Sequence, residues 1–293
     1  MKEGCEILLE KTTYSPGEVI TGTLQCTFFS EHKVKGVRVI FFGDANVNWS
    51  AGKYVNYEDE KQFLKSDLVV LASETTFQPG TYNYPIVFTL PAHLPSSLEA
   101  KYGSIKYKIE AIISRPWAID YETKKTFEVF SFHKLQESLP NNPVKVTEEE
   151  VPTSFFKKQT GPVTIAVELP QNAYAQNEVI SFEATINNES SISVKKVRFQ
   201  LIQGYQFHVG KESTEQITRV SKAFVVIDCT VPSGTQMSKT LELKVPGDMP
   251  IALMGDCELI TAFWKLRGKV RLPFPHSNFV IDVPLVIGAY SLP

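Results

Sequence analysis

No stretch of this chain stays apolar for long, and that absence removes a large class of proteins at once. Nowhere does an apolar run approach the roughly twenty residues that cross a bilayer as a helix. The start, Met1-Lys2-Glu3-Gly4-Cys5-Glu6, reaches only Ile7-Leu8-Leu9 before Glu10, too little for the apolar segment of a secretory signal. A soluble, cytoplasmic protein is the expectation, and the triplets Asn48-Trp49-Ser50 and Asn188-Glu189-Ser190 then read as chance matches to a glycosylation acceptor. Cysteine is sparse: Cys5, Cys26, Cys229 and Cys257 stand far apart with no CxxC pair, and such thiols are expected to stay reduced. His32, His93, His133, His208 and His276 are scattered and form no HxH or HExxH spacing. Charge of one sign is missing too. Thirty Lys plus Arg against thirty-two Asp plus Glu leave a formal charge of -2, so no global field recruits nucleic acid or an acidic membrane. There is no GxSxG elbow, no GxxxxGK[ST] loop and no GxGxxG fingerprint. No catalytic residue, cofactor or metal ligand is nominated, and the expectation is a protein that is not an enzyme.

What is present is an ordinary globular composition, 43% hydrophobic and 21% charged, over 293 residues, enough for two domains that each bury a core. The chain also repeats itself. Tyr14-Ser15-Pro16-Gly17-Glu18-Val19-Ile20 aligns with Tyr174-Ala175-Gln176-Asn177-Glu178-Val179-Ile180, and the same offset of 160 carries Val34, Lys35, Val37 and Arg38 onto Val194, Lys195, Val197 and Arg198. Leu90-Pro91 with Pro95 returns as Val245-Pro246 with Pro250. Each copy alternates with the period of a half-buried strand: Ile20, Gly22, Leu24, Cys26 and Phe28 face one way, and so do Ile180, Phe182, Ala184 and Ile186. Further strands are predicted over 82–90, 105–113, 127–132, 164–169, 224–229, 241–245 and 279–283, bounded by Pro, Gly, Asn or Ser. The nearest approach to a helix is 58–72. Many short strands imply sandwiches, so the fold class is all-β, two tandem immunoglobulin-like β-sandwiches. Leu139-Pro140-Asn141-Asn142-Pro143 and the run Glu148-Glu149-Glu150 before Pro152 predict a linker rather than a core strand. The domains are placed at 1–140 and 161–293, with the linker at 141–160.

The clearest constellation is Lys265-Leu266-Arg267-Gly268-Lys269-Val270-Arg271-Leu272, where strand period sets Lys265, Arg267, Lys269 and Arg271 on one face. Arginine grips a phosphate or carboxylate with two parallel hydrogen bonds and lysine adds a point charge, so the stripe suits a phosphorylated tail or an anionic lipid headgroup. The same residues also suit a solvated face that keeps the strand from pairing edge to edge. Smaller basic groups are Lys33/Lys35/Arg38, Lys106/Lys108 and Lys195/Lys196/Arg198. Trp117, in Arg115-Pro116-Trp117, is expected to pack at a core or corner. Cys257, between Asp256 and Glu258 with no adjacent histidine, reads as an inert structural cysteine.

These residues together resemble the α-arrestin family, in both halves of the chain. The first half matches through Tyr14-Ser15-Pro16-Gly17-Glu18-Val19, Val34-Lys35-Gly36-Val37-Arg38-Val39, Phe77-Gln78-Pro79-Gly80 and the long stretch Leu94 to Tyr107, closing on Arg115-Pro116-Trp117. The second half matches through Cys257 and Val283-Pro284-Leu285-Val286-Ile287-Gly288. The resemblance implies two arrestin-type sandwiches joined by a short hinge, and a trafficking adaptor that bridges cytosolic tails of membrane receptors or transporters to WW-domain HECT ubiquitin ligases. It implies a place at the plasma membrane and endosomes, with a structural coat or scaffold subunit of an endosomal sorting complex as the alternative. Family members reach the ligase through PPxY motifs, whose preformed helix fits an aromatic groove. This sequence has no PP dipeptide.

Overall fold

A computed structural model describes residues 3–131, 142–152, 161–228, 230–247, 254–255 and 257–288. Among them are twenty β-strands and no helix. The chain forms two compact units: Met1–Ser131 with Gln206–Gln216 and Ala252–Thr261, and Phe132–Tyr205 with Ile217–Ile251 and Ala262–Pro293.

The N-terminal strands are β1 (Gly4–Leu9), β2 (Thr13–Tyr14), β3 (Val19–Phe28), β4 (His32–Val34), β5 (Gly36–Ala51), β6 (Val55–Leu71), β7 (Thr75–Phe77), β8 (Gly80–Thr89), β9 (Leu98–Ala100), β10 (Gly103–Ser114) and β11 (Tyr121–Val129). They make one sheet ordered β1-β3-β8 and a second ordered β2-β11-β10-β5-β6, with β9 on β10 and a β4-β7 ribbon. Alternation does what the sequence requires of it. Ile20, Leu24, Cys26 and Phe28 of β3 are buried, as are Phe41, Ile86, Ile109 and Ile113 of the strands around it. Each such apolar side chain contributes about 1.5–3 kcal/mol on leaving water.

The second half contributes β12 (Val144–Glu150), β13 (Val163–Leu169), β14 (Ala173–Ala175), β15 (Val179–Asn188), β16 (Lys196–Val209), β17 (Glu212–Ile227), β18 (Thr235–Lys244), β19 (Ile260–Arg271) and β20 (Phe279–Gly288). Their sheets run β12-β13-β15-β18 and β14-β20-β19-β16-β17. Ile180, Phe182, Ala184 and Ile186 enter a core with Phe199, Leu266 and Ile281.

The internal repeat is visible in individual hydrogen bonds. The Tyr14 hydroxyl donates to the Lys11 carbonyl at 2.8 Å, and that of Tyr174 to the Gln171 carbonyl at 3.0 Å. Glu18 accepts from the Ser15 N–H at 2.8 Å, and Glu178 from the Ala175 N–H at 2.6 Å. Between them sit Gly17 and Asn177, with φ of 80° and 67°, a left-handed turn position where glycine and asparagine are the residues tolerated best.

Two expectations are corrected. The helix candidate at 58–72 lies almost wholly in β6, which pairs with β5 from Val37↔Leu71 to Ala51↔Val55. Register shifts at Val37/Arg38 and Gly43/Asp44 leave Phe63 and Val70 without partners, so bulges break the period-2 signal that would have announced a strand. Within the proposed linker, residues 144–150 form β12, paired in full with β13 from Val144↔Leu169 to Glu150↔Val163. Pro143 and Pro152 flank this strand instead of interrupting it, and an edge strand leaves its glutamates in water. Residues 132–141 and 153–160 of that stretch lie outside the described residues.

Asn188 is likewise a structural residue. It is 0% exposed, and its amide nitrogen lies 2.7, 3.0 and 3.0 Å from the carbonyls of Ile192, Val231 and Pro232. Its carbonyl oxygen accepts from the Ser190 hydroxyl at 2.6 Å.

Candidate functional site

Strand β19 presents the basic stripe as its period demands: Trp264, Leu266 and Val270 are buried while Lys265, Arg267, Lys269 and Arg271 face outward. The backbone here is tight, since a Cβ on Gly268 would come within 2.6 Å of the Phe199 ring and 2.7 Å of Ile281. Those close contacts fix β19 against the core and the register of its outer face with it.

The four cations do not share one environment. Asp282 of β20 stands opposite Arg267, accepting two bonds of 2.6 Å from its guanidinium, and lies 3.1 Å from the Lys265 ammonium. Burial opposes the carboxylate charge, but the hydrogen bonds from Arg267 and then Lys265 outweigh it, and the Asp282 pKa lies below its ordinary value. This half of the stripe is an ion-paired lattice between neighbouring strands.

Lys269 and Arg271, in contrast, are exposed and have no acidic group within ion-pair distance among the described residues. With Lys195, Lys196, Asp228, Leu272 and Asn278 they line a depression of about 490 Å³. The Lys195 N–H bonds the Arg271 carbonyl at 3.0 Å, and the Asn278 side chain accepts from the Leu272 N–H at 3.1 Å, so both walls are held by backbone. Asp228 pairs with Lys196 at 3.2 Å. Four cations thus surround one carboxylate, which leaves this depression attractive to an anion.

The other basic groups are more fully compensated. Lys33 meets Glu74 at 2.6 Å, Arg38 meets Asp67 at 3.2 Å, Lys106 meets Glu99 at 2.7 Å and Lys108 meets Glu110 at 2.9 Å. A larger depression of about 720 Å³ in the first unit sets Lys106 and Lys125 against Glu99 and Glu128 and has no net sign. Arg198 lies over the Phe224 ring at 4.1 Å rather than at the cationic depression. Sequence named Lys195 and Lys196 but had no means of joining them to the end of the stripe, because the neighbourhood of β16 and β19 is tertiary.

Cys257 is buried, and desolvation is the main reason its thiol is raised above the ordinary range, against opposing backbone hydrogen bonds. Trp117 overturns its expectation. It is 104% exposed at φ 59°, on a loop where Asp120 accepts from the Arg115 N–H at 2.9 Å, and no core space is offered to it. Among the described residues no three His, Cys, Asp or Glu are grouped to hold a metal, and no helix is long and apolar enough to cross a membrane.

A duplicated, open β-sandwich frame with its distinctive chemistry in surface charge defines a tandem β-sandwich protein. The family models for the arrestin (or S-antigen) N-terminal and C-terminal domains match residues 5–136 and 159–292. Arrestin domain-containing protein 4 of Mus musculus is 28% identical over 95% of this chain and 69% of its own length. Thioredoxin-interacting protein of Homo sapiens is 27% identical over 95% of this chain and 72% of its own, and arrestin domain-containing protein 1 of Rattus norvegicus 24% over 95% and 62%. The chain belongs to the arrestin family, on its α-arrestin branch. This is a family of trafficking adaptors, generally not enzymes.

Proposed function

We propose that the chain is an adaptor that holds acidic segments in the cytosolic tails of membrane receptors or transporters and promotes their ubiquitination, endocytosis and sorting. The observation that carries the reading is the depression formed by Lys195, Lys196, Lys269 and Arg271, in which cations outnumber carboxylates four to one. The site is a broad surface concavity, suited to an extended chain bearing several carboxylates or phosphates. Lys265 and Arg267 take part indirectly, since both are ion-paired to Asp282 and lie on the strand that carries the other two. Work at this surface belongs at the plasma membrane and endosomes, where such tails are found. Recruitment of a WW-domain HECT ligase is not routed through these residues.

The test is fluorescence anisotropy of a labelled Glu-rich peptide, with a peptide of the same length bearing Gln for Glu as control. Each exposed ion pair contributes about 0.2–1 kcal/mol, so reversing two cations with Lys269→Glu and Arg271→Glu is expected to remove roughly 2 kcal/mol, about thirtyfold in affinity. The effect should shrink as salt shortens the screening length. Equal affinity of native and variant protein overturns the site. Vesicles containing phosphatidylserine, run in parallel, show whether a lipid headgroup competes for it.

A further inference from the structure

Two cysteines of the first unit take no part in the adaptor reading, and the ladder places them in register. Cys5 of β1 stands directly opposite Cys26 of β3. One step past β1, the Glu10 N–H bonds the Thr21 carbonyl at 3.2 Å, in the same register. Antiparallel pairs alternate between bonded and non-bonded, so Glu10/Thr21, Leu8/Thr23 and Glu6/Gln25 are bonded pairs, and Leu9/Gly22, Ile7/Leu24 and Cys5/Cys26 are not. At a non-bonded pair the Cα atoms are about 4.5 Å apart and the side chains closest, within the roughly 4.4–6.8 Å that a disulfide spans. Both side chains project to the core face with Ile7 and Leu24; Cys26 is buried and Cys5 half-buried. Both are free thiols.

We propose that Cys5 and Cys26 form an oxidisable cross-strand dithiol, a modification site at which a peroxide closes a disulfide between β1 and β3. The Cys5 sulfur, the more exposed, attacks one peroxide oxygen as its thiolate. An S–O bond forms, the O–O bond breaks, and the departing hydroxide takes up the thiol proton as water. The Cys26 sulfur then attacks the sulfenic sulfur, forming S–S and breaking S–O, and a second water leaves. Two thiols are oxidised by two electrons in all, and one peroxide is reduced to two waters.

The surroundings make closure slow. Burial pushes the Cys5 thiol up to about 11 and that of Cys26 to about 12, so thiolate is scarce at neutral pH and closure demands sustained oxidant. The consequence falls on an edge. Strand β1 is bonded to β3 alone in its sheet, and a covalent link would suppress its local opening.

The test treats the full chain, and a variant carrying Cys229→Ala and Cys257→Ala, with hydrogen peroxide, then denatures, alkylates and maps peptides by mass. The expected result in both is one linked peptide pair joining Cys5 to Cys26, lost on reduction, with β1 amides exchanging at least tenfold more slowly in the oxidised form. Running the unaltered chain beside the variant makes the map independent of whether the variant folds. Cys5 recovered as sulfinic or sulfonic acid with Cys26 still alkylated overturns the proposal, and so does a link from either residue to Cys229 or Cys257. Both thiols alkylated after oxidant that modifies a free-cysteine peptide in the same tube overturns it equally.

Discussion

Replacing Asp282 by Asn keeps the shape of the side chain and removes the charge that ties Lys265 to Arg267. The carboxylate accepts two bonds of 2.6 Å from the guanidinium and lies 3.1 Å from the ammonium. Hydrogen bonds to charged groups contribute about 1.5–3 kcal/mol, and with the Asp282 side chain 32% exposed solvent screening reduces that, so the expected loss is about 1–2 kcal/mol at pH 7. The pH dependence has a definite sign. Because the folded pKa lies below the ordinary 3.8, the charge contributes stability that is fully present above the unfolded value and is lost as pH falls through the folded one. Urea unfolding of both proteins across pH should therefore show a gap that is constant near neutrality, narrows below about 4 and closes in stronger acid. A gap that persists unchanged at low pH would locate the effect of Asn in packing and refute the electrostatic account. The variant should also bind the Glu-rich peptide more tightly than native protein, since a negative charge is removed two residues along the ladder from Lys269.

Asn188→Ala is expected to cost about 1–3 kcal/mol in unfolding free energy, because the buried amide's bonds to the Ile192, Val231 and Pro232 carbonyls and from the Ser190 hydroxyl are lost together while each of those groups keeps a second partner; a cost under about 0.5 kcal/mol would show water replacing the amide. Trp117→Gly should leave stability within about 0.5 kcal/mol of native, since an exposed side chain is lost and the positive φ suits glycine. A loss of about 3–5 kcal/mol, the usual result for a core aromatic, would restore the packing expectation.

How much of this was legible beforehand depends on the range of the interaction involved. The repeat was legible because its determinants are local: the Tyr14 and Tyr174 hydroxyls reach back three residues, and Glu18 and Glu178 cap their own turns. The outward face of β19 was legible because strand period is local too. What sequence missed was set by neighbours. Strand β11 begins at Tyr121, six residues before the predicted segment, because its polar run Glu122 to Thr126 is held by pairing with β10. Strand β12 carries three glutamates that no propensity would place in a ladder, yet the edge position hydrates them. The division of the basic stripe was invisible for the same reason, since Asp282 lies fifteen residues beyond Arg267 in sequence and directly across in space.

The two units differ most instructively where their frames coincide. In the first, Glu110 of β10 stands opposite Lys124 of β11, 3.0 Å from its ammonium and 2.9 Å from that of Lys108. In the second, Arg267 of β19 stands opposite Asp282 of β20, with Lys265 two residues before it as Lys108 precedes Glu110. The same cross-strand pair occurs in both with its signs reversed, so opposite charges face each other at this place whichever strand carries which. Glu110→Arg alone, or Lys124→Asp alone, sets like charges opposite and is expected to cost about 1 kcal/mol each. The double variant recreates the arrangement of Lys265, Arg267 and Asp282 and should recover most of the loss, a coupling of about 1–2 kcal/mol in a double-mutant cycle. Additive losses would mean that Glu110 is held by its strand's packing, and that the sign reversal between the units follows from their different cores.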